Sequence, residues 1–314
     1  MALYLITGIG GFIGSSLAHE LLRRGEQVRG VDNFSTGKRE NLAPILAQID
    51  FREADILDLD AMKQACTGVD YVLHEAAIPS VPKSVLDPIA SNRANVDGTV
   101  NVLVAARDAK VKRVIYAASS SAYGDTPTLP KHEGMAPDPI SPYAVAKLAS
   151  ERYMISFYRC YGLETASLRY FNIFGPRQDP SSPYSGVLAK FITQMLNAQQ
   201  PTIFGDGEQS RDFNYIDNAV EANLLACKAP AARVAGKVFN IATGTRITLN
   251  ETFKLLQRLT SYSGSPIYGA ERGGDIKHSL ADISAAEKNL GYKPKVIFED
   301  GLRQTVDWYR SARS

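Results

Sequence analysis

The stretch Leu3-Tyr4-Leu5-Ile6-Thr7-Gly8-Ile9-Gly10-Gly11-Phe12-Ile13-Gly14 decides the fold. A short apolar run, of a length suited to a buried strand, ends at Thr7 and gives way to glycines at 8, 11 and 14. Helical periodicity then runs to Arg24, with Phe12, Ile13, Leu17, Leu21 and Leu22 on one face, and Gly25 stops it. In such a strand–turn–helix unit Gly8 permits the tight turn and Gly11 lets a phosphate approach the backbone. Gly14 lets the helix pack closely on the strand. The helix start offers unpaired N–H groups to a pyrophosphate, so Phe12 and Ile13 join the three glycines as candidate cofactor contacts. Three glycines alone are a weak signal; their place after the first strand strengthens it.

Outward from this turn, apolar runs alternate with helical patterns. Further strands are expected over 27–31, 49–52, 71–74, 113–118 and 163–169, and helices near 58–66, 92–109 and 142–161. Alternation of this kind predicts an α/β, Rossmann-type doubly wound parallel sheet covered on both faces. After about residue 172 glycine and proline become common, with helices near 186–198, 217–228, 248–260 and 299–311. The expected division is a dinucleotide-binding domain over 1–171, with 211–243 interleaved into it, and a smaller α/β substrate-binding lobe over 172–314.

A second feature supports the cofactor reading. Asp32 closes the second strand, followed by Asn33. A carboxylate there accepts hydrogen bonds from an adenosine ribose and repels the extra phosphate of NADP. The bland alternative is a turn-forming Asp-Asn pair. Arg29, Lys38 and Arg39 lie close by in sequence and leave NADP open.

Composition excludes several classes. The chain has 314 residues, 45% hydrophobic, with a net charge of +2 spread along its length, which gives no nucleic-acid or membrane footprint. No apolar run approaches the roughly 20 residues of a membrane span, and the first residues lack the pattern of a signal peptide. Cys66, Cys160 and Cys227 are scattered, and the four histidines have no ligand spacing, so no metal site is expected. These features suit a cytoplasmic enzyme with reduced thiols.

The chemistry lies in two pieces. The strand over 113–118 ends in Ser119-Ser120-Ser121, and further on comes Ser141-Pro142-Tyr143-Ala144-Val145-Ala146-Lys147. Ser141 suits an N-cap and Pro142 a first helical turn. Tyr143 and Lys147, four apart, share a helical face. An ammonium beside a phenol favours the phenolate, as would the positive ring of a nicotinamide, and a phenolate serves as general base toward a hydroxyl. Ser119 is placed to hold that hydroxyl. A tyrosine and a lysine at this spacing also arise by chance; the serine-ending strand and the glycine turn give the pair its weight.

Together these residues resemble the extended short-chain dehydrogenase/reductases, and within them the nucleotide-sugar 4-epimerases, over essentially the whole chain. Asp55-Ile56 resembles the segment that meets the adenine. His74-Glu75-Ala76-Ala77 is similar to the strand end beside the cofactor, and Asn95-Val96-Asp97-Gly98-Thr99 to the Asn-x-x-Gly helix. Ser119 to Gly124 resembles the SSxxYG stretch and Arg169-Tyr170-Phe171-Asn172 the RYFN stretch. The resemblance implies NAD as cofactor, contacted by Ala76, Asn95, Tyr143, Lys147 and Tyr170, and a UDP-sugar substrate contacted by Ser120 and Asn172. Related dehydratases carry Asp-Glu where this chain has Ser120 and Ser121, and related decarboxylases carry Glu at Ser121. Without that carboxylate an epimerase is favoured. The resemblance further implies diphosphate contacts at Arg211 and Arg272, a substrate contact at Asp275, a uracil neighbour at Phe204, and nucleotide contact at Val187. Gln178 falls in a stretch, Gly175 to Pro180, similar to N-acetylhexosamine epimerases. Ser279 stands where epimerases restricted to plain sugars carry tyrosine, so both UDP-glucose/galactose and their N-acetylated forms are expected to fit. Helices near 95–109 and 142–161 resemble those of the family's dimer interface, implying a homodimer. A UDP-glucuronate 4-epimerase, a keto-sugar reductase, or a non-catalytic NAD-binding protein are the competing readings.

Overall fold

The computed structural model describes residues 1–180, 186–271 and 277–312. Seven parallel strands form its central sheet. In chain order they are β1 (Leu3–Thr7), β2 (Gln27–Asp32), β3 (Asp50–Glu53), β4 (Tyr71–His74), β5 (Arg113–Ser119), β6 (Glu164–Tyr170) and a last strand, Lys237–Ile241. Across the sheet the order is Lys237–Ile241, β6, β5, β4, β1, β2, β3. The order reverses between β1 and β4, which is where such sheets open a crevice at their carboxyl ends. This is the Rossmann-type doubly wound sheet expected from the sequence.

Burial explains the strand composition. Leu5, Ile6, Val72, Leu73, Val114 and Ile115 are fully enclosed, as strands covered on both faces require. One face is covered by α2 (Leu59–Cys66), α5 (Gly98–Asp108) and α6 (Pro142–Tyr161). Between α2 and α5 lie α3 (Val81–Leu86) and α4 (Pro88–Asn92), followed by a π-helical turn over Arg93–Asp97. The other face is covered by α1 (Phe12–Arg23) and α8 (Ile216–Lys228), whose apolar sides share a core with α7 (Val187–Leu196) and the helices Leu249–Thr260 and Phe298–Ser311.

Local chemistry sets the ends of α6. The Ser141 hydroxyl accepts from the Ala144 N–H at 3.2 Å, Pro142 opens the first turn, and Gly162 closes the helix at φ 71°. Midway along, the buried Glu151 grips Arg169 of β6 through two hydrogen bonds of 2.7 and 2.8 Å. This pair fixes α6 against the strand next to β5. Among the described residues no helix is long and apolar enough to cross a membrane.

Candidate active site

The carboxyl ends of β1, β2, β4, β5 and β6 open on a cavity of about 730 Å³. At one end lies the glycine turn. Gly8 sits at φ +72°, and a Cβ on it would come within 2.7 Å of the Ala76 backbone. A Cβ at Gly14 would reach 2.2 Å from the Gly8 carbonyl oxygen, so only glycine lets α1 start this close to β1. No side chain caps α1, and Phe12, Ile13 and Gly14 line the cavity. This uncapped helix start, with room in front of it, fits a dinucleotide pyrophosphate.

Asp32, Asn33, Asp55 and Ile56 line the same end. Asp32 is buried and accepts from the Gly10 N–H at 2.8 Å and the Phe34 N–H at 2.7 Å. Burial nevertheless raises its pKa. Asn33 donates to Asp55 at 2.9 Å, joining the ends of β2 and β3. The three neighbouring cations are each paired: Arg29 with Asp50 at 2.6 Å, Arg39 with Glu53 at 2.7 Å and Lys38 with Asp179 at 2.9 Å. The Lys38–Asp179 pair ties the loop after β2 to the segment after β6, beside the glycine turn; its role was not evident from the sequence.

At the other end Ser119, Tyr143, Lys147 and Tyr170 line the cavity, with Ala76 between the two ends. Ser119, at the tip of β5, accepts from both the hydroxyl of Ser121 at 2.8 Å and its N–H at 3.2 Å. Its own hydroxyl hydrogen is thereby directed away from Ser121, and a Ser119 hydrogen bond lowers the Tyr143 pKa. Lys147 is buried and donates to the Ala117 carbonyl at 2.8 Å, its ammonium 4.8 Å from the Tyr116 ring centre. Burial lowers Lys147 to about 8, against an opposing pull from Glu75. Tyr143 differs from expectation. Desolvation raises its phenol to about 12, and the protein groups that counter this are led by Ser119 rather than by Lys147.

Asn172 and Gln178 line this cavity and a second one of about 250 Å³, which Val187, Phe204 and Arg211 also border. Asn172 takes φ 33° and donates to the Asp212 carbonyl at 3.2 Å. Arg211 donates to the carbonyls of Ser210 and Lys277 at 3.0 and 3.1 Å.

Three expected contacts lie elsewhere. Asn95 is buried behind the wall, where its carboxamide accepts from the Ile78 N–H at 2.9 Å and donates to Ser91 at 3.3 Å. It shapes the cavity through Ile78, which lines it, instead of facing it. Ser120 follows Ser119 into a tight 3₁₀ turn and lines neither cavity. Ser279 is 8% exposed, donates its N–H to the Ser210 carbonyl at 3.0 Å, and also lines neither. Arg272 and Asp275 lie outside the described residues. Conversely, Glu75, Lys83 and Arg93 line the first cavity without having been singled out. Lys83 and Arg93 lie on short helical segments that follow Pro82 and Pro88, which interrupt the periodicity that would have revealed them, and Glu75 sits in the loop after β4.

A doubly wound parallel sheet, a glycine turn at its switch point and a Ser, Tyr, Lys set on the same cavity define the extended short-chain dehydrogenase/reductase class. Within it, the chain belongs to the NAD dependent epimerase/dehydratase family, which it matches over residues 4–242. It is similar to a UDP-glucose 4-epimerase from Thermotoga maritima, solved with UDP-glucose. That likeness is 40% identity over 99% of this chain and 100% of the other, with a TM-score of 0.94. It resembles equally a UDP-N-acetylglucosamine 4-epimerase from Methanobrevibacter ruminantium, solved with UDP-N-acetylmuramic acid: 40% identity, 99% of both chains, TM-score 0.94. A Thermus thermophilus UDP-glucose 4-epimerase in complex with NAD is 33% identical over 99% of both chains, with a TM-score of 0.89. The cofactor is NAD.

Proposed function

We propose that the protein interconverts the C4 epimers of a UDP-linked hexose, both UDP-glucose/UDP-galactose and their N-acetylated forms. One observation carries the reading: Ser119, Tyr143 and Lys147 share the wall of the cavity that begins at the glycine turn. The second cavity, which shares Asn172 and Gln178 with the first, supports a substrate that spans both.

Gly8, Gly11, Phe12, Ile13 and Gly14 hold the pyrophosphate of NAD, Asp32 and Asn33 the adenosine ribose, and Asp55 and Ile56 the adenine. Ala76 and Tyr170 border the nicotinamide half. When bound, the nicotinamide would supply the acceptor, and then the donor, for the hydride at C4. Tyr143 takes the proton of the sugar's 4-hydroxyl while Ser119 holds that oxygen. Lys147 binds the cofactor ribose, and the Ser119 hydrogen bond favours the phenolate. Arg211 and Arg272 retain the diphosphate, whose charge and geometry suit a guanidinium fork. The 4-keto sugar turns about that anchor, presents its other face, and regains hydrogen and proton. Phe204 and Val187 border the uridine. Two copies of the chain pair through α5 and α6.

Support for the N-acetylated pair comes from the similarity to the Methanobrevibacter enzyme and from the small Ser279. Because Ser279 lies off both cavity walls, it would act on the width of the site through its neighbours. Incubating the protein with UDP-glucose and UDP-N-acetylglucosamine separately, and resolving the products by chromatography, should yield both C4 epimers. No epimer from either sugar would remove the proposal. In Ser279→Tyr, loss of N-acetyl turnover with hexose turnover kept is expected, and equal retention of both would discard the gate.

A further inference from the structure

The residue after β4 is an acid that the proposed reaction does not use. His74, one place earlier, turns into the sheet, where Thr7 and Thr99 meet its two ring nitrogens at 2.7 and 2.9 Å. Burial there lowers it to about 3, so it stays neutral. Glu75 instead lines the cavity that holds the glycine turn, Tyr143 and Lys147. Its Oε1 accepts from the Tyr170 hydroxyl at 3.0 Å, and the Tyr170 oxygen accepts from Asn223 of α8 at 2.7 Å. The Glu75 N–H donates to the Thr7 carbonyl at 3.2 Å, and the next residue, Ala76, presses against Gly8. The backbone of Glu75 is thus fixed against β1 and the glycine turn, and its carboxyl is held by Tyr170, on the wall that Tyr143 and Lys147 share.

The titratable groups around it come from three elements. Lys147 of α6 favours its anion. Tyr170 of β6 and Tyr116 of β5 are both pushed far above the usual phenol range by burial and remain neutral. Desolvation raises Glu75 itself to about 7.

We propose that Glu75, as a carboxylate, favours the oxidised, positively charged nicotinamide over the reduced, neutral ring, and so lowers the reduction potential of the bound cofactor. The inference rests on the reading that the first cavity holds NAD. An enzyme that must return its hydrogen in every cycle gains from this bias, because a cofactor too easily reduced is stranded whenever a keto sugar escapes. Glu75 exchanges no electrons. C4 gives up hydrogen with two electrons to the ring, the hydroxyl proton goes to Tyr143, and both return. Glu75 only binds a proton more readily once the ring's positive charge is gone.

Glu75→Gln keeps the volume and the acceptor for Tyr170 but removes the charge. Redox titration of the holoenzyme against a mediator couple, read by the near-UV absorbance of bound NADH, tests the idea. At about pH 8 the variant should show about a tenfold higher NADH to NAD⁺ ratio at a fixed potential, or about 30 mV. At about pH 5, where the wild-type acid is protonated, the two proteins should converge. Equal ratios at both pH values, or an offset that does not change with pH, would overturn the proposal. The wild-type protein alone gives a second reading: its potential should fall more steeply with pH near the carboxyl's pKa than in the variant. Failure to retain any reducible nicotinamide would instead overturn the underlying assignment of the cavity.

Discussion

Burial withholds from the Tyr143 anion the hydration it would have at the surface, and its phenol rises to about 12. Lys147, lowered to about 8, is itself a reluctant cation. Left to the protein's own groups, only a small fraction of molecules would carry phenolate and ammonium together. A bound positive ring shifts that balance, so cofactor and base are electrostatically coupled. Activity should therefore rise with pH as Tyr143 ionises, with an apparent pKa below 12 in the holoenzyme, and fall as Lys147 loses its proton; log kcat/KM against pH measures both limbs. Tyr143→Phe should lower kcat by about 100-fold or more, with an unchanged melting temperature, and lose the acid limb. The shared face of Tyr143 and Lys147 was legible in the sequence because helical geometry places residues four apart on one side. That Asn95, Ser120 and Ser279 stand off the cavity walls was not, because nothing in residue identity says whether a side chain faces a cavity or the packing behind it.

The start of α1 shows how little room a motif leaves. Gly14 lies so close to the Gly8 carbonyl that a methyl group must push the helix off the strand. Gly14→Ala is expected to cost about 1–3 kcal/mol of stability and to weaken NAD binding at least tenfold, measured by thermal melts and calorimetry. The gain in helix propensity, under about 1 kcal/mol, does not offset the clash. Elements like this were legible because apolar periodicity and glycine placement act over a few residues. The first six strands of the sheet end within one residue of their expected bounds. Between 81 and 97 the pattern failed: Pro82 and Pro88 each open a short helix, and the chain continues into a π-helical turn instead of a plain helix beginning near 92. Over 211–243 only Lys237–Ile241 joins the main sheet, while most of the stretch is α8 and a short helix at Ala231–Val234.

At the scale of the molecule, α6 carries Val145 and Tyr153 at 51% and 42% exposure, and Leu86 and Ile89 of α3 and α4 are more exposed still. Apolar side chains gathered on neighbouring helices favour a partner surface. Light scattering should give the mass of a dimer, and Val145→Glu should shift it toward the monomer. In the sequence the proposed pairing rests on resemblance alone, since periodicity cannot separate a face buried by the same chain from one buried by another. The sheet itself holds a consequence for synthesis. Its outermost strand next to β6 is supplied only by Lys237–Ile241. On the ribosome, about seventy residues must emerge after β6 is made before that flank is covered, and until then its row of backbone donors and acceptors is open to any other extended chain. A nascent chain stalled at about residue 235 should therefore recruit holding chaperones that one released beyond 241 does not need.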